Sequence, residues 1–355
     1  KHLFTARNYY QMAEVMAATD RLDEALEQCQ KSLTRVMLDF EDMDFGANPS
    51  VSGETVSRRK LLEILTLKTH LLLDKYRLTD APELLQYASE TATFTDKTID
   101  LLRAEYQTPE SKEVLLTRSK RFYEDAVNIA FLQYNQDNDQ SYLDDAFAYM
   151  EKSKSVLLYE RIQSRTESLE AVLPDSLANE EKSLARNIAN YEEQLFNARA
   201  SNDTTGLALL KTKLFETKRA YDFLFDRIKI EYPDYYEIRY QTFDTSIDEI
   251  QKSLAENTLL INYFMGEKDV YILALNRKEV IHSVIANRQQ LTNQVNQLLS
   301  SVKNKAYSAL LANEIYNAIL LPILNQSKQQ INMLAIVPDD ILHYLPFEIL
   351  QTSGN

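Results

Sequence analysis

Apolar and small residues recur along the first half of the chain at the spacing of one helix face. In the first segment they lie three or four residues apart, which predicts two amphipathic helices. These positions are Tyr9, Met12, Ala13 and Met16, and then Leu22, Ala25, Cys29 and Ser32. A turn at residues 19–21 separates the two sets, and small residues let the helices approach closely. The pattern therefore predicts an antiparallel helical hairpin.

Two later segments repeat the pattern of the second helix of this hairpin. RLDEALEQCQKSL (21–33) and YLDDAFAYMEKSK (142–154) carry an alanine at the same place after an acidic pair. DAPELLQYASETA (80–92) keeps the order of small and large residues with different letters. One hairpin cannot bury its apolar face alone, so such units are expected to stack. We predict three divergent helical hairpins over residues 1–170.

A seven-residue period over residues 174–233 predicts a long antiparallel coiled-coil hairpin. Its seam consists of Leu177, Leu184, Ile188, Tyr191, Leu195 and Ala198, followed by Leu207, Leu210, Leu214, Thr217, Tyr221, Leu224 and Ile228. At 1.5 Å per residue each arm is about 40 Å long. A docking arm, a lever and an inert spacer all fit this seam. We interpret the tyrosine-rich residues 234–240 as packing at a domain junction.

Strand patterns replace helical ones after Tyr240. Three strands are predicted by the segments TLLINYFM (258–265), VYILALN (270–276) and EVIHSVI (279–285). Two helices are expected next, over residues 287–303 and 305–321. A buried strand is then predicted at Met333–Val337. Helices that cross over between strands imply a sheet with parallel character. The predicted fold class is therefore mainly α, followed by a partial α/β domain over residues 241–355.

Composition narrows the classes of function. A net charge of −14 argues against binding to nucleic acid or an anionic membrane. We interpret the one tight basic triplet, Arg58-Arg59-Lys60, as a solvated face rather than a binding patch. The sequence shows no apolar run of membrane-spanning length and no signal peptide, and its single cysteine excludes an internal disulfide. These features predict a cytoplasmic protein, and both ends of the sequence suggest a piece of a longer one.

The first hairpin resembles the tetratricopeptide repeat. Tyr9, Met12-Ala13 and Met16 fall where that family has an aromatic residue, Leu-Gly and Tyr. The resemblance implies a concave surface that binds a protein or peptide partner, with Arg7, Tyr10 and Glu14 as exposed candidates on the first helix. The alternative is that these helices only pack against the rest of the chain.

The order of motifs along the whole chain resembles the CHAT family, caspase-like domains attached to tetratricopeptide repeats. The motifs are DDAFAYMEKSKSVLLYERI (144–162), the long hairpin, the LLINYF strand (259–264) and IVPDDILHYLPFEIL (336–350). The residues of the last motif that carry the resemblance are Pro338, Asp339, Leu345, Pro346 and Phe347. The family usually has Gly where this chain has Asp340, which puts the geometry of that turn in question.

This resemblance implies a cysteine peptidase in which a thiolate attacks the scissile carbonyl, a histidine manages the proton and backbone amides stabilise the oxyanion. In the family pattern both catalytic residues follow the Pro-Phe-Glu motif, so the dyad is expected after Asn355 and this chain alone is predicted to be inactive. The chain would be the regulatory portion of a bacterial, cytoplasmic protease, with the catalytic half of the same protein as a partner. One alternative is a non-catalytic scaffold with a degenerate caspase-like domain. Another is a purely helical adaptor, which a sheet within residues 258–337 would exclude.

Other combinations of reactive residues in the sequence are weaker candidates for a catalytic or metal site. Cys29 could pair formally with His2, His70, His282 or His343, but we interpret Cys29 as a core residue and His343 as a packed or surface histidine. Asp339 and Asp340 could hold a divalent cation, although such a pair usually caps the backbone. No metal, cofactor or nucleotide motif is present in the sequence, so no metal or cofactor is predicted.

Overall fold

The structure, a computed structural model, describes residues 3–50, 53–106, 109–154, 173–200, 206–233, 235 and 246–352. These residues are mainly helical and end in a small mixed sheet, which confirms a mainly α chain followed by a partial α/β domain. The chain divides into two compact units, residues 1–122 with 155–242 and residues 123–154 with 243–355. This division groups residues 123–154 with the sheet, whereas their repeat pattern predicted that they belong to the helical hairpins of residues 1–170.

The first unit begins with a series of helices, and the first two lie where the apolar spacing predicted a hairpin. The helices are α1 (Leu3–Ala17), α2 (Leu22–Val36), α3 (Arg58–Thr79), α4 (Pro82–Glu105) and the first half of α5 (Pro109–Asp137). Ala6, Ala13 and Ala25 are fully buried, and the Ser32 hydroxyl donates a hydrogen bond of 2.7 Å to the carbonyl oxygen of Ala6. Small side chains thus let α1 and α2 pack closely.

A buried lysine holds the long connection between α2 and α3. Lys68 Nζ lies within hydrogen-bonding distance of three acceptors, the carbonyl oxygen of Ala47 (2.6 Å), Asn48 Oδ1 (3.0 Å) and Gln30 Oε1 (3.2 Å). Gln30 Nε2 in turn donates to the carbonyl oxygen of Asp42 at 2.9 Å. Burial lowers the pKa of Lys68 to about 7. This network fixes a connection whose own sequence shows no helix or strand pattern.

The predicted long hairpin consists of α7 (Asp175–Ala200) and α8 (Leu207–Glu231). With 26 and 25 residues, each helix is about 39 Å long or slightly less. The buried members of the seam include Leu177, Ile188, Leu195, Tyr221, Leu224 and Ile228. Tyr235 is buried in the same cluster as Leu177, and its hydroxyl donates to Glu181 at 3.3 Å. Residues 234 and 236–240 of the tyrosine-rich stretch lie outside the described residues.

The second unit contains the second half of α5 and a four-stranded sheet with flanking helices. Its further elements are α6 (Ser141–Lys154), α9 (Ile247–Ser253), β1 (Thr258–Met265), β2 (Val270–Leu275), β3 (Val280–Ile285), α10 (Arg288–Lys303), α11 (Ala309–Ile319), α12 (Leu321–Gln326) and β4 (Met333–Val337). The strand order is β3-β2-β1-β4, with antiparallel pairing along β3-β2-β1 and parallel pairing between β1 and β4. This sheet excludes the purely helical adaptor.

The position of β4 differs from the prediction of a buried strand. β4 pairs with β1 in parallel, but it lies at the edge of the described sheet, and Met333 and Leu334 are 60% and 38% exposed. By contrast, Leu259 and Ile261 of β1 are fully buried. The prediction was wrong because an apolar run shows that its side chains favour burial. It does not show whether the strand pairs on one side or on both.

Candidate functional site

The segment of residues 336–350, here called the motif segment, begins in β4 and continues as two short 3₁₀ turns. The turns span Asp340–Tyr344 and Phe347–Ile349, just past the carboxyl end of β4. In sheets of this kind, ligand and catalytic groups collect at the carboxyl ends of parallel strands. The motif segment is therefore the first candidate site.

Asp339 ties the motif segment to β1. Its Oδ2 accepts a hydrogen bond of 2.7 Å from the backbone N–H of Met265, and its Oδ1 accepts one of 3.0 Å from the N–H of Asp340. Both oxygens of Asp339 thus cap the backbone, which agrees with the capping interpretation for this member of the acidic pair. Within the described part of the chain, no group of three or more acidic, histidine or cysteine residues is placed to hold a metal ion.

Asp340 has a backbone φ of +48°, in the left-handed region. Glycine adopts this conformation without steric penalty, and aspartate tolerates it better than most residues do. The usual glycine of the family and the aspartate of this chain are thus compatible with the same turn. The Asp340 carboxylate forms an ion pair with Arg288, and its carbonyl oxygen accepts a hydrogen bond of 3.2 Å from Nδ1 of the exposed His343.

The apolar residues of the motif segment are anchors in the core of the second unit. Leu342 and Leu345 are buried, and the ring of Phe347 lies 6.0 Å from that of Tyr263. The Tyr263 hydroxyl donates a hydrogen bond of 2.9 Å to the carbonyl oxygen of Ile319.

The two prolines of the motif segment are partly buried: Pro338 lies two residues before the first turn, and Pro346 directly precedes the second. The carbonyl oxygen of Pro346 accepts a hydrogen bond of 3.0 Å from the N–H of Ile349. The contacts of Asp339, Leu342, Leu345 and Phe347 thus fix the path of the chain through the motif segment.

A buried charged cluster joins α6 to β1. Lys154 Nζ donates to Asn262 Oδ1 at 2.5 Å and to Glu151 Oε1 at 3.4 Å. Asn262 Nδ2 donates to the same Glu151 oxygen at 2.9 Å. Burial lowers the pKa of Lys154, while the carboxylates of Glu151 and Asp339 act in the opposite direction. In the sequence the EKSK string belongs to a repeat and to the CHAT-like motif of residues 144–162, but neither pattern predicts this buried contact.

A second buried carboxylate holds the turn between β1 and β2. Glu124 of α5 accepts hydrogen bonds from the backbone N–H groups of Glu267 (2.6 Å), Lys268 (3.1 Å) and Asp269 (2.9 Å). A Cβ atom at Gly266 would lie 2.5 Å from Glu124 Cδ and 2.9 Å from the carbonyl oxygen of Asp269, so any larger residue would displace Glu124 or the turn. The glycine in the GEKD turn was the only sequence signal for this contact.

The single cysteine is not placed for catalysis. Cys29 is fully buried in the first unit, and burial raises its pKa to about 12, so the reactive thiolate is a negligible fraction at neutral pH. This agrees with the interpretation of Cys29 as a core residue.

The histidines in the described part of the chain have contacts of their own. His70 lies 3.2 Å from Asp74, and His282 lies 4.6 Å from the Phe131 ring and 5.3 Å from the Tyr134 ring, between centroids. Burial lowers the pKa of His282. His2 lies outside the described residues.

The second candidate site is a cavity of about 440 Å³ in the first unit, lined by residues of α1, α3, α4 and α5 and by Tyr106. Tyr10 and Glu14, two of the three predicted partner-binding residues, line this cavity. Arg7 is exposed on the same helix but does not belong to the described lining. The apolar lining consists of Leu62, Leu67, Leu102, Val114 and Leu115.

The polar side chains at the cavity are linked around Tyr10. The Tyr10 hydroxyl donates to Glu14 Oε1 at 3.0 Å, and Lys60 Nζ lies 4.4 Å from the centre of the Tyr10 ring. Glu63 forms ion pairs with Lys60 and, at 3.6 Å, with Arg59. Burial and the nearby Glu14 carboxylate raise the pKa of Tyr10, which is therefore neutral at physiological pH.

The basic triplet at the start of α3 is only partly the solvated face that we predicted. Arg58 and Lys60 have side chains that are 13% and 16% exposed, and Arg58 pairs with Asp222 at 3.1 Å. Only Arg59, with 60% of its side chain exposed, fits that interpretation. The sequence does not show this because the partner, Asp222, lies 164 residues away.

Comparison with known protein families gives a match near the C-terminal end of the chain. Among curated proteins, none matches the chain. In the described part of the chain, each helix is too short or too polar to cross a membrane. Residues 310–355, which include almost all of α11 together with α12, β4 and the motif segment, match the family model of the CHAT domain. The C-terminal part of the chain is thus similar to the CHAT domain.

Proposed function

We propose that this chain is the regulatory and partner-binding portion of a CHAT-type, caspase-like cysteine peptidase of the bacterial cytoplasm. The observation that carries the proposal is the match of residues 310–355 to the CHAT domain. Within this region, the turns of the motif segment follow β4, and Asp339, Leu345 and Phe347 are each held by contacts to the sheet or its core. Such a fixed chain path past a strand end suits a scaffold for catalytic residues.

The nucleophile and the general base are proposed to come from a catalytic half that these 355 residues do not contain. Cys29 cannot serve, because it is buried and its pKa is raised to about 12. The sheet supports such an addition: none of the described strands pairs with the outer edge of β4, where Met333 and Leu334 are exposed. A further strand of the same protein would satisfy that edge.

The partner-binding role is assigned to the cavity of the first unit. Tyr10 and Glu14 line it, and it combines apolar walls with several charged side chains. Pockets of this size and mixed lining are typical of binding sites. Binding of a protein or peptide there is proposed to control the activity of the distant catalytic dyad.

The proposal is tested by labelling the full-length protein with an electrophilic peptide that reacts with active-site cysteines. Mass spectrometry is expected to find the label on a cysteine beyond Asn355, and Cys29→Ala should react as fast as the unaltered protein. Label on Cys29, or peptidase activity of the 355 residues alone, would contradict the proposal. A full-length protein that binds partners but takes no label would instead be a non-catalytic scaffold.

A further inference from the structure

We propose that the cavity of the first unit binds an acidic peptide segment that also carries apolar side chains, and that Arg118 and Arg121 bind its carboxylates. This inference rests on the partner-binding role proposed above. It adds the chemistry of the partner, which neither the family match nor the predicted residues specify.

The charges around the cavity favour an anionic ligand. Two of its lining residues are acidic and three are basic, and both carboxylates already have partners. Glu14 accepts a hydrogen bond from Tyr10, and Glu63 pairs with Lys60 and Arg59. The local balance is therefore positive, in a chain whose net charge is −14. An acidic peptide is thus repelled by most of the surface and attracted here.

Arg118 and Arg121 are the cations available to a ligand. Both are exposed on α5 and line the cavity, and neither has a hydrogen-bond or ion-pair partner among the described residues. Because they are three residues apart on a helix, they project from the same face. A guanidinium group can bind a carboxylate with two parallel hydrogen bonds, so two neighbouring arginines match two acidic side chains.

The rest of the lining requires an apolar component in the ligand. Leu62, Leu102 and Leu115 are nearly buried, whereas Leu67 remains partly exposed and Val114 is 50% exposed. Covering this exposed apolar surface would contribute to the affinity. A ligand with carboxylates alone would leave it in contact with water, so an acidic segment with interspersed leucine or phenylalanine fits better.

The experiment measures binding of fluorescent peptides to the 355-residue chain by anisotropy. The first peptide has about ten residues, which span roughly 30 Å when extended, and alternates Glu with Leu or Phe. A second peptide replaces every Glu by Lys, and a third replaces every apolar residue by Ser. N-acetylglutamate, added as a competitor, tests whether a small acid suffices.

The variant Arg118→Glu/Arg121→Glu should bind the first peptide at least tenfold more weakly, because two attractive contacts become repulsive. The matched control, Lys182→Glu/Arg186→Glu, makes the same charge change at two exposed positions of α7 and should bind normally. Thermal unfolding followed by circular dichroism checks that both variants fold. Should the first variant unfold, Arg118→Gln/Arg121→Gln replaces it, with at least a severalfold loss expected.

Binding of the first peptide that depends on the two arginines and weakens with added salt supports the inference. The inference is overturned if the Lys peptide binds equally well, if the arginine variant binds the first peptide equally well, or if the first peptide does not bind. It is also overturned if N-acetylglutamate displaces the first peptide at comparable concentrations. The proposed function is judged separately by cysteine labelling of the full-length protein. Peptide binding without a reactive cysteine would refute the peptidase assignment and leave this site intact.

Discussion

At the scale of single residues, Asp340 shows how a backbone conformation limits the choice of side chain. Its φ of +48° is open to glycine and, at low cost, to aspartate or asparagine. Its carboxylate adds an ion pair with Arg288, but that pair is partly exposed and contributes little. The backbone should therefore decide the outcome of substitutions here.

Asp340→Gly and Asp340→Asn are expected to change the free energy of unfolding by less than about 1 kcal/mol. Asp340→Val should reduce it by about 2 kcal/mol or more, because a β-branched side chain clashes in this region. Chemical denaturation followed by circular dichroism measures all three variants. Equal stability of the Val and Asn variants would show that the turn does not need this conformation.

At the scale of secondary-structure elements, α6 and β1 are joined by charged side chains that are buried away from solvent. Lys154 neutralises Glu151, and both bond to Asn262, which is 1% exposed. Removal of one member of a buried pair leaves the other uncompensated, which costs more than the pair contributes when intact.

Lys154→Met is expected to lower the free energy of unfolding of the second unit by about 3–5 kcal/mol. Lys278→Met, at an exposed position of the same unit, is the control and should be neutral. The double variant Lys154→Met/Glu151→Gln should recover part of the loss, because no buried charge is left. Denaturation curves measure the free energy of unfolding of all three variants. A double variant less stable than Lys154→Met would argue against the charge mechanism.

How far the sequence could predict each element depends on how local its determinants are. The helices α1, α2, α7 and α8 follow from apolar spacing within each segment. The cluster of Lys154 and Asn262 joins residues 108 apart, and Glu124 reaches a turn more than 140 residues away, so no local pattern reveals them.

The candidate sites show the same limit. Tyr10 and Glu14 could be predicted from the resemblance of the first hairpin to a known repeat. Arg118 and Arg121 could not, because the third hairpin matches that repeat too loosely for residues to be carried over. The motif segment could be recognised, but its position at a sheet edge depends on pairing with β1, which lies over 70 residues earlier.

At the scale of the whole molecule, the buried Lys68 links stability to pH. Its pKa is about 7 in the folded chain, against an ordinary value of 10.5. Between these pH values the Lys68 side chain is protonated in the unfolded chain and neutral in the folded chain. The free energy of unfolding therefore rises with pH across this window, and the gain is lost as pH falls toward 7.

Lys68→Met should remove this dependence, whereas Lys97→Met, at an exposed position of α4, should retain it. The difference in the free energy of unfolding between pH 7 and pH 10 is expected to be on the order of a few kcal/mol in the unaltered chain. Urea denaturation at a series of pH values measures the slope. Equal slopes with and without Lys68 would mean that this lysine is charged when folded.

The burial of Cys29 has a practical consequence for experiments on this chain. As the only thiol in the sequence, and one with no exposed surface, it should resist maleimide reagents until the first hairpin opens. Its rate of alkylation therefore reports that opening without any engineered probe. A cysteine introduced on the surface, for instance near the cavity, could be coupled selectively to a fluorophore or spin label in the otherwise native protein.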